Sequence, residues 1–149
     1  MSDPGEGDSA VLFRSELTFR VWRYGVGHSQ LLIRTPPGAA DDTRVEILFE
    51  DVDALQLVTR YEGIEIYSPC EEESQRIFEA SGAPGKWRPH RVIVGLRSAS
   101  GTGYVQCGKA SAVRCSGPAG PAGPEGDDET REVLWSTTAT SPRAAATGG

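Results

Sequence analysis

From His28 to Tyr67 apolar residues recur at every second position, and short groups of turn residues divide the run. Val45, Ile47 and Phe49 alternate with Arg44, Glu46, Leu48 and Glu50, which is the period of a strand buried on one face only. A helix would repeat its apolar face about every 3.6 residues. The stretch is therefore confined to half-buried strands, and the chain to a mostly β architecture.

The flanks follow the same logic. Val11, Phe13, Leu17, Phe19 and Val21 are apolar, after which the apolar residues shift to Trp22, Tyr24 and Val26; that change of phase predicts a β-bulge or bend near Val21. Gly25 and Gly27 predict a reversal into a strand over His28–Thr35, with Leu31 and Ile33 inward and Pro36, Pro37 and Gly38 ending it. Further strands are expected over Thr43–Glu50, over Ala54–Tyr61 with Leu55 and Leu57 towards the core, and, after Gly63, at Ile64 and Ile66.

Ser68 and Glu71 have the spacing of a capping box with Pro69 at the first helical position. One helix is expected to start there, to bury Ile77 and Phe78, and to stop at Gly82 and Pro84. His90–Ser98 reads as a strand with Val92, Val94 and Leu96 on one face and Gly95 as a position of close approach. Thr102–Cys107 and Ala110–Cys115 read as a hairpin closed by Gly108 and Lys109. The expected fold is mainly β (α+β), an antiparallel β-sandwich or rolled sheet of seven to eight strands with one inserted helix.

Three segments are expected along the 149 residues: a flexible arm over 1–10, a β-rich domain over 11–116 and a disordered tail over 117–149. The tail opens with the run GPAGPAGPEGDD, four Gly-led triplets that read as a solvated linker; so few cannot hold a collagen trimer. Val133, Leu134 and Trp135 within it read as a weak strand or a disordered apolar spot rather than a docking motif. A chain of this length has surface enough to bury a core without a metal or a disulfide.

The net charge of −6 disfavours general nucleic-acid binding, because phosphates attract a basic field. The amino terminus is acidic and lacks the apolar stretch of a secretory signal, so the chain is expected to start at or near Met1. No apolar run approaches the roughly 20 residues of a membrane helix. Three irregularly spaced cysteines agree with reduced thiols, and a cytoplasmic protein is expected. In the expected hairpin Cys115 lies on the order of 17 Å beyond Cys107, at about 3.4 Å per residue. That is too far for a disulfide, which needs α-carbons within about 7 Å.

No catalytic, cofactor or metal signature matches the strength of the strand pattern. Gly27-His28-Ser29-Gln30 is close to a nucleophile elbow, but Leu31 stands where the final glycine belongs and strand periodicity follows. Cys70 lies in the first turn of the expected helix, where the adjacent glutamates oppose a thiolate. No histidine or cysteine spacing suits zinc. Neither catalytic residues, nor cofactor, nor metal is therefore assigned.

Two features suit contact with a partner. Lys86-Trp87-Arg88-Pro89-His90-Arg91 is the only dense basic cluster; it is expected to stay solvated or to pair with Glu71–Glu73, and as a functional surface it would meet an acidic protein. Trp22, Tyr24, Leu32 and Leu48 share the parity that faces away from the main core. The helix and second hairpin are expected to cover them; left bare, they would be an apolar patch. The candidate contact residues are Trp22, Tyr24, His28, Lys86, Trp87, Arg88 and Arg91.

The run H-S-Q-L-L-I-R from His28, followed by R-V-E-I-L-F-E-D-V-D-A-L-Q-L from Arg44 and G-I-E-I from Gly63, resembles small uncharacterised proteins of actinobacteria. More loosely, its strand order is similar to that of some β-rich immunity proteins of polymorphic toxin systems. The resemblance rests on core positions over about 40 residues. It implies a non-catalytic binding protein that covers or sequesters another protein, such as a toxin. The alternative is a small-ligand-binding or enzymatic β-barrel with a site around Tyr24, His28 and His90.

Overall fold

The structure, a computed structural model, describes residues 10–25, 27, 29–36, 43–116 and 130–139. In chain order the elements are β1 (Ala10–Gly25), β2 (Gln30–Arg34), β3 (Arg44–Glu50), β4 (Ala54–Gln56), β5 (Arg60–Ser68), α1 (Glu71–Ser81), a 3₁₀ segment (Gly85–His90), β6 (Val92–Ser98), β7 (Gly101–Cys107), β8 (Lys109–Ser116) and β9 (Thr130–Thr138). The strands are antiparallel and form one open sheet in the order β4-β7-β6-β5-β1-β2-β3-β8-β9. This is a mainly β fold with one helix, as the periodicity requires.

The sheet curls on its own long strand. β1 pairs through Arg20 with β5 and from Arg20 onward with β2, and three register shifts bend it. One apolar cluster then joins Tyr61, Ile66, Leu96 and Val105 of one half to Leu31, Ile33, Ile47, Phe49 and Ala112 of the other. Those strands lie several places apart in the sheet, so only a rolled sheet brings their inner faces together. The bulge expected near Val21 is present: the register jumps from Val21↔Ile33 to Arg23↔Leu32 and leaves Trp22 as the extra residue.

Five expectations about these elements need correction. Ala54–Tyr61 is not one strand: β4 stops at Gln56, and Tyr61, fully buried, belongs to β5. Gly63 does not precede β5 but lies inside it, at φ +74°, opposite the register shift between Ser15 and Thr18. Ser68 caps nothing, because it is the last residue of β5 and pairs with Ala10; α1 starts after Cys70, without a side-chain cap. The helix stops as expected, with Gly82 in the left-handed region.

The fourth correction is topological. β7 and β8 do not form a hairpin: β7 lies between β6 and β4, β8 between β3 and β9. Gly108 alone carries the chain between the two halves, its N–H donating to Glu50 O and its carbonyl accepting from Ala139 N–H. A Cβ at Gly108 would meet Arg91 Nη2 at 2.7 Å and Asp51 Oδ2 at 3.1 Å, so a larger residue at this corner would displace the Arg91–Asp51 ion pair. Residues 130–138, expected in a disordered tail, form β9. Trp135 pairs with Ala112 and stacks on Phe13, the ring centroids 6.3 Å apart.

α1 lies on the outer face of β6, where Ile77 and Phe78 bury against Ile93 with Tyr104 and Ala83 beside them. Gly95 is the expected close approach: a Cβ there would fall 2.2 Å from the Tyr67 ring. The helix therefore covers the β5–β6–β7 half and leaves the outer face of β1–β2–β3 to other uses.

Candidate functional site

That outer face is built by register. Arg20 pairs with Arg34, Arg23 with Leu32, Leu32 with Leu48, and Arg34 with Glu46. Paired residues share a face, so Arg20, Arg23, Arg34 and Glu46 surround Leu32 and Leu48 on the side opposite Leu31, Ile33 and Ile47. The bulge adds Trp22 to this surface. Its ring is half exposed, and the Arg34 guanidinium lies 3.7 Å from the ring centroid. A bulge re-aims one side chain without ending the ladder, and here the re-aimed side chain is a tryptophan.

The charges on this face do not cancel. Glu46 receives Arg44 Nε at 2.8 Å and has Arg34 Nη1 at 3.7 Å, so one carboxylate serves two guanidiniums. Arg34 Nε is buried with no hydrogen-bond partner. Arg20 and Arg23 add exposed positive charge. An aromatic centre ringed by guanidiniums is suited to a surface bearing carboxylates, through Arg–carboxylate forks and cation–π contact. Beside it, Arg23, Gly25, Gln30, Leu32 and Leu48 line a depression of about 240 Å³.

The other candidates lie in different settings. Tyr24 does not share the face of Trp22: the bulge turns it to pair with Leu31. It lines an apolar cleft of about 380 Å³ with Val21, Val52, Asp53, Leu55 and Leu57. His28 lies outside the described residues. Trp22, Leu32 and Leu48, expected to be covered by the helix and a second hairpin, are not, because α1 packs on β6 and the hairpin does not exist.

The basic cluster is partly spent on internal ties. Arg91 Nη2 reaches Asp51 Oδ2 at 2.8 Å and Nη1 reaches Asp53 Oδ2 at 3.3 Å, with the side chain only 8% exposed. Asp53 Oδ2 also accepts from Gln106 Nε2 at 3.0 Å, and Ser81 Oγ is within the same distance of that nitrogen. Arg88 donates to Glu71 and Gln75 and lies over the Phe78 ring. Lys86 and Trp87 remain exposed, and His90 ends the 3₁₀ segment without lining the Tyr24 cleft.

The cysteines carry no bridge. Burial pushes the Cys107 thiol up to about 12, and Cys115 is fully buried. Only Cys70 is half-buried. Native protein treated with iodoacetamide near pH 8 is expected to be alkylated at Cys70 first, with Cys107 and Cys115 modified only after unfolding, because the thiolate is the nucleophile. Peptide mass spectrometry reads this directly; native labelling of Cys107 would contradict its burial. Among the described residues no group of three or more His, Cys, Asp or Glu could hold a metal ion.

Sequence reading missed Arg20, Arg23, Arg34 and Arg44. They are scattered over three strands, and only the register assembles them. No protein-family model matches this chain, and no curated protein or solved structure shows significant similarity to it.

Proposed function

We propose that this chain is a binding protein that acts by protein–protein contact, and that the outer face of β1, β2 and β3 receives an acidic partner. The observation that carries this reading is Trp22: half exposed, under the Arg34 guanidinium, flanked by Arg20 and Arg23, on a sheet face the helix leaves bare. Tryptophan and arginine dominate binding hot spots because each loses much solvent and forms directional contacts on docking. A concentration of arginine on a chain of net charge −6 points to complementary carboxylates. Covering a toxin is the setting that the sequence resemblance implies for such a surface.

A photocrosslinking amino acid placed at Trp22 in cells should trap an acidic protein that the same group at the exposed helix residue Glu72 does not. Trp22→Ala should then weaken binding of that protein about thirtyfold, the scale of a 2 kcal/mol hot spot. Arg23→Glu should weaken it further as salt is lowered. Equal adducts from both positions, or binding indifferent to both substitutions, would remove this face from the function.

A further inference from the structure

We infer that β9, the last strand of the sheet among the described residues, is an open pairing edge, and that its occupant is β9 of a second copy of this chain, joined antiparallel about a two-fold axis. The two end strands of the sheet differ. β4 is three residues long, which is itself a guard against edge pairing. β9 is nine residues long and follows β8 from Lys109 to Ser116. Its charges, Arg131 and Glu132, stand at its start, and Val133–Thr138 contains no charge and no proline. Val133 is 66% exposed, and Ser136 and Thr138 are exposed as well.

The direction of the free amides follows from one hydrogen bond. Ala139 N–H donates to Gly108 O at 3.1 Å, and the register Thr138↔Lys109, Thr137↔Ala110, Ser136↔Ser111 continues from it. Along an antiparallel ladder the N–H and C=O direction alternates with each residue. Thr137 and Trp135 therefore bond towards β8, and Ser136 and Thr138 point their backbone groups away from it. The register shift that leaves Leu134 extra lies upstream and does not interrupt these two.

A second β9 fits this edge with Thr137 on the axis, facing its own copy. Ser136 of one copy then opposes Thr138 of the other, twice over, and each pair exchanges both backbone hydrogen bonds. Exposed side chains stay on one face in both copies, and Thr faces Thr, a favourable cross-strand pair. Arg131 and Glu132 stay clear of their counterparts, whereas a register centred on Glu132 would set like charges opposite each other. The occupant is thus chosen by the uncharged, self-complementary run at the outward amides.

Sedimentation of the full chain over a wide concentration range tests this. A monomer–dimer equilibrium is expected that tightens as salt rises, because each copy carries a net charge of −6. The Trp22 contact proposed above should weaken with salt, so the two readings fail separately. Hydrogen exchange at the Ser136 and Thr138 amides should slow with concentration. Ser136→Pro removes only an outward N–H, so it should weaken the dimer at least tenfold while leaving circular dichroism and melting of the monomer unchanged. If that variant fails to fold, the double variant Ser136→Glu with Thr138→Glu decides, since it sets carboxylates opposite each other only in the dimer. A wild-type chain that stays monomeric throughout, or a dimer that the glutamates leave intact, would overturn the inference.

Discussion

A chain ending at Ser116 is expected to melt more than about 10 °C below the full-length protein, because β9 is part of the domain and not an appendage. The truncation removes the whole β8–β9 ladder. It strips Trp135 from Phe13 and opens Ala110 and Ala112 on the inner face to water. Leu134 and Trp135 also pack against the main apolar cluster. The loss should approach that of deleting a core aromatic, roughly 3 to 5 kcal/mol. Trp135→Ala separates the contributions: it keeps the ladder and should cost about half as much. Equal melting temperatures for the full and shortened chains would show that β9 is not docked.

Gly103→Ala should be the most damaging single methyl among the described glycines. A Cβ at Gly103 would lie 2.2 Å from the carbonyl oxygen of Gln56 and 3.1 Å from the Tyr61 hydroxyl. The first neighbour is backbone, so β4 has to move away from β7. The second is a fully buried ring whose hydroxyl accepts the Val58 N–H. Overpacking at such a site costs roughly 3 kcal/mol. Urea midpoints measure it, with Gly85→Ala as the control, since a Cβ there meets nothing within 4 Å. If both substitutions shift the midpoint alike, β4 does not lie against Gly103 as described.

The site was legible in the sequence only in part. Trp22 is found by the change of apolar phase at Val21, because a bulge displaces the alternation by one residue and leaves a trace in the sequence. Its parity with Tyr24 is misleading for the same reason: across a bulge the faces no longer follow odd and even numbers. The basic cluster at Lys86–Arg91 is conspicuous because its members are adjacent. Its pairing with Glu71 through Arg88 follows from nearness in sequence, whereas Arg91 binds Asp51, 40 residues away, which only the fold brings beside it.

What the sequence determined by itself was local: the period-two alternation that makes β2, β3 and β6, the inward set Leu31, Ile33, Val45, Ile47, Phe49, Val94 and Leu96, the bulge at Trp22, the helix stop at Gly82, and the close approach at Gly95. Each follows from the φ/ψ preferences or side-chain alternation of a few neighbouring residues. Only the tertiary structure decided the partners. β7 and β8 look like a hairpin across Gly108, but the ladder accepts any antiparallel neighbour that buries the same face. β7 finds β6 and β4, and β8 finds β3 and β9. The same freedom recruits Val133–Trp135, too short for the sequence to decide between a weak strand and a disordered spot, once β8 offers an edge. It also gathers arginines from β1, β2 and β3 around Trp22, because strand register sets neighbours across a sheet, and register depends on the whole core.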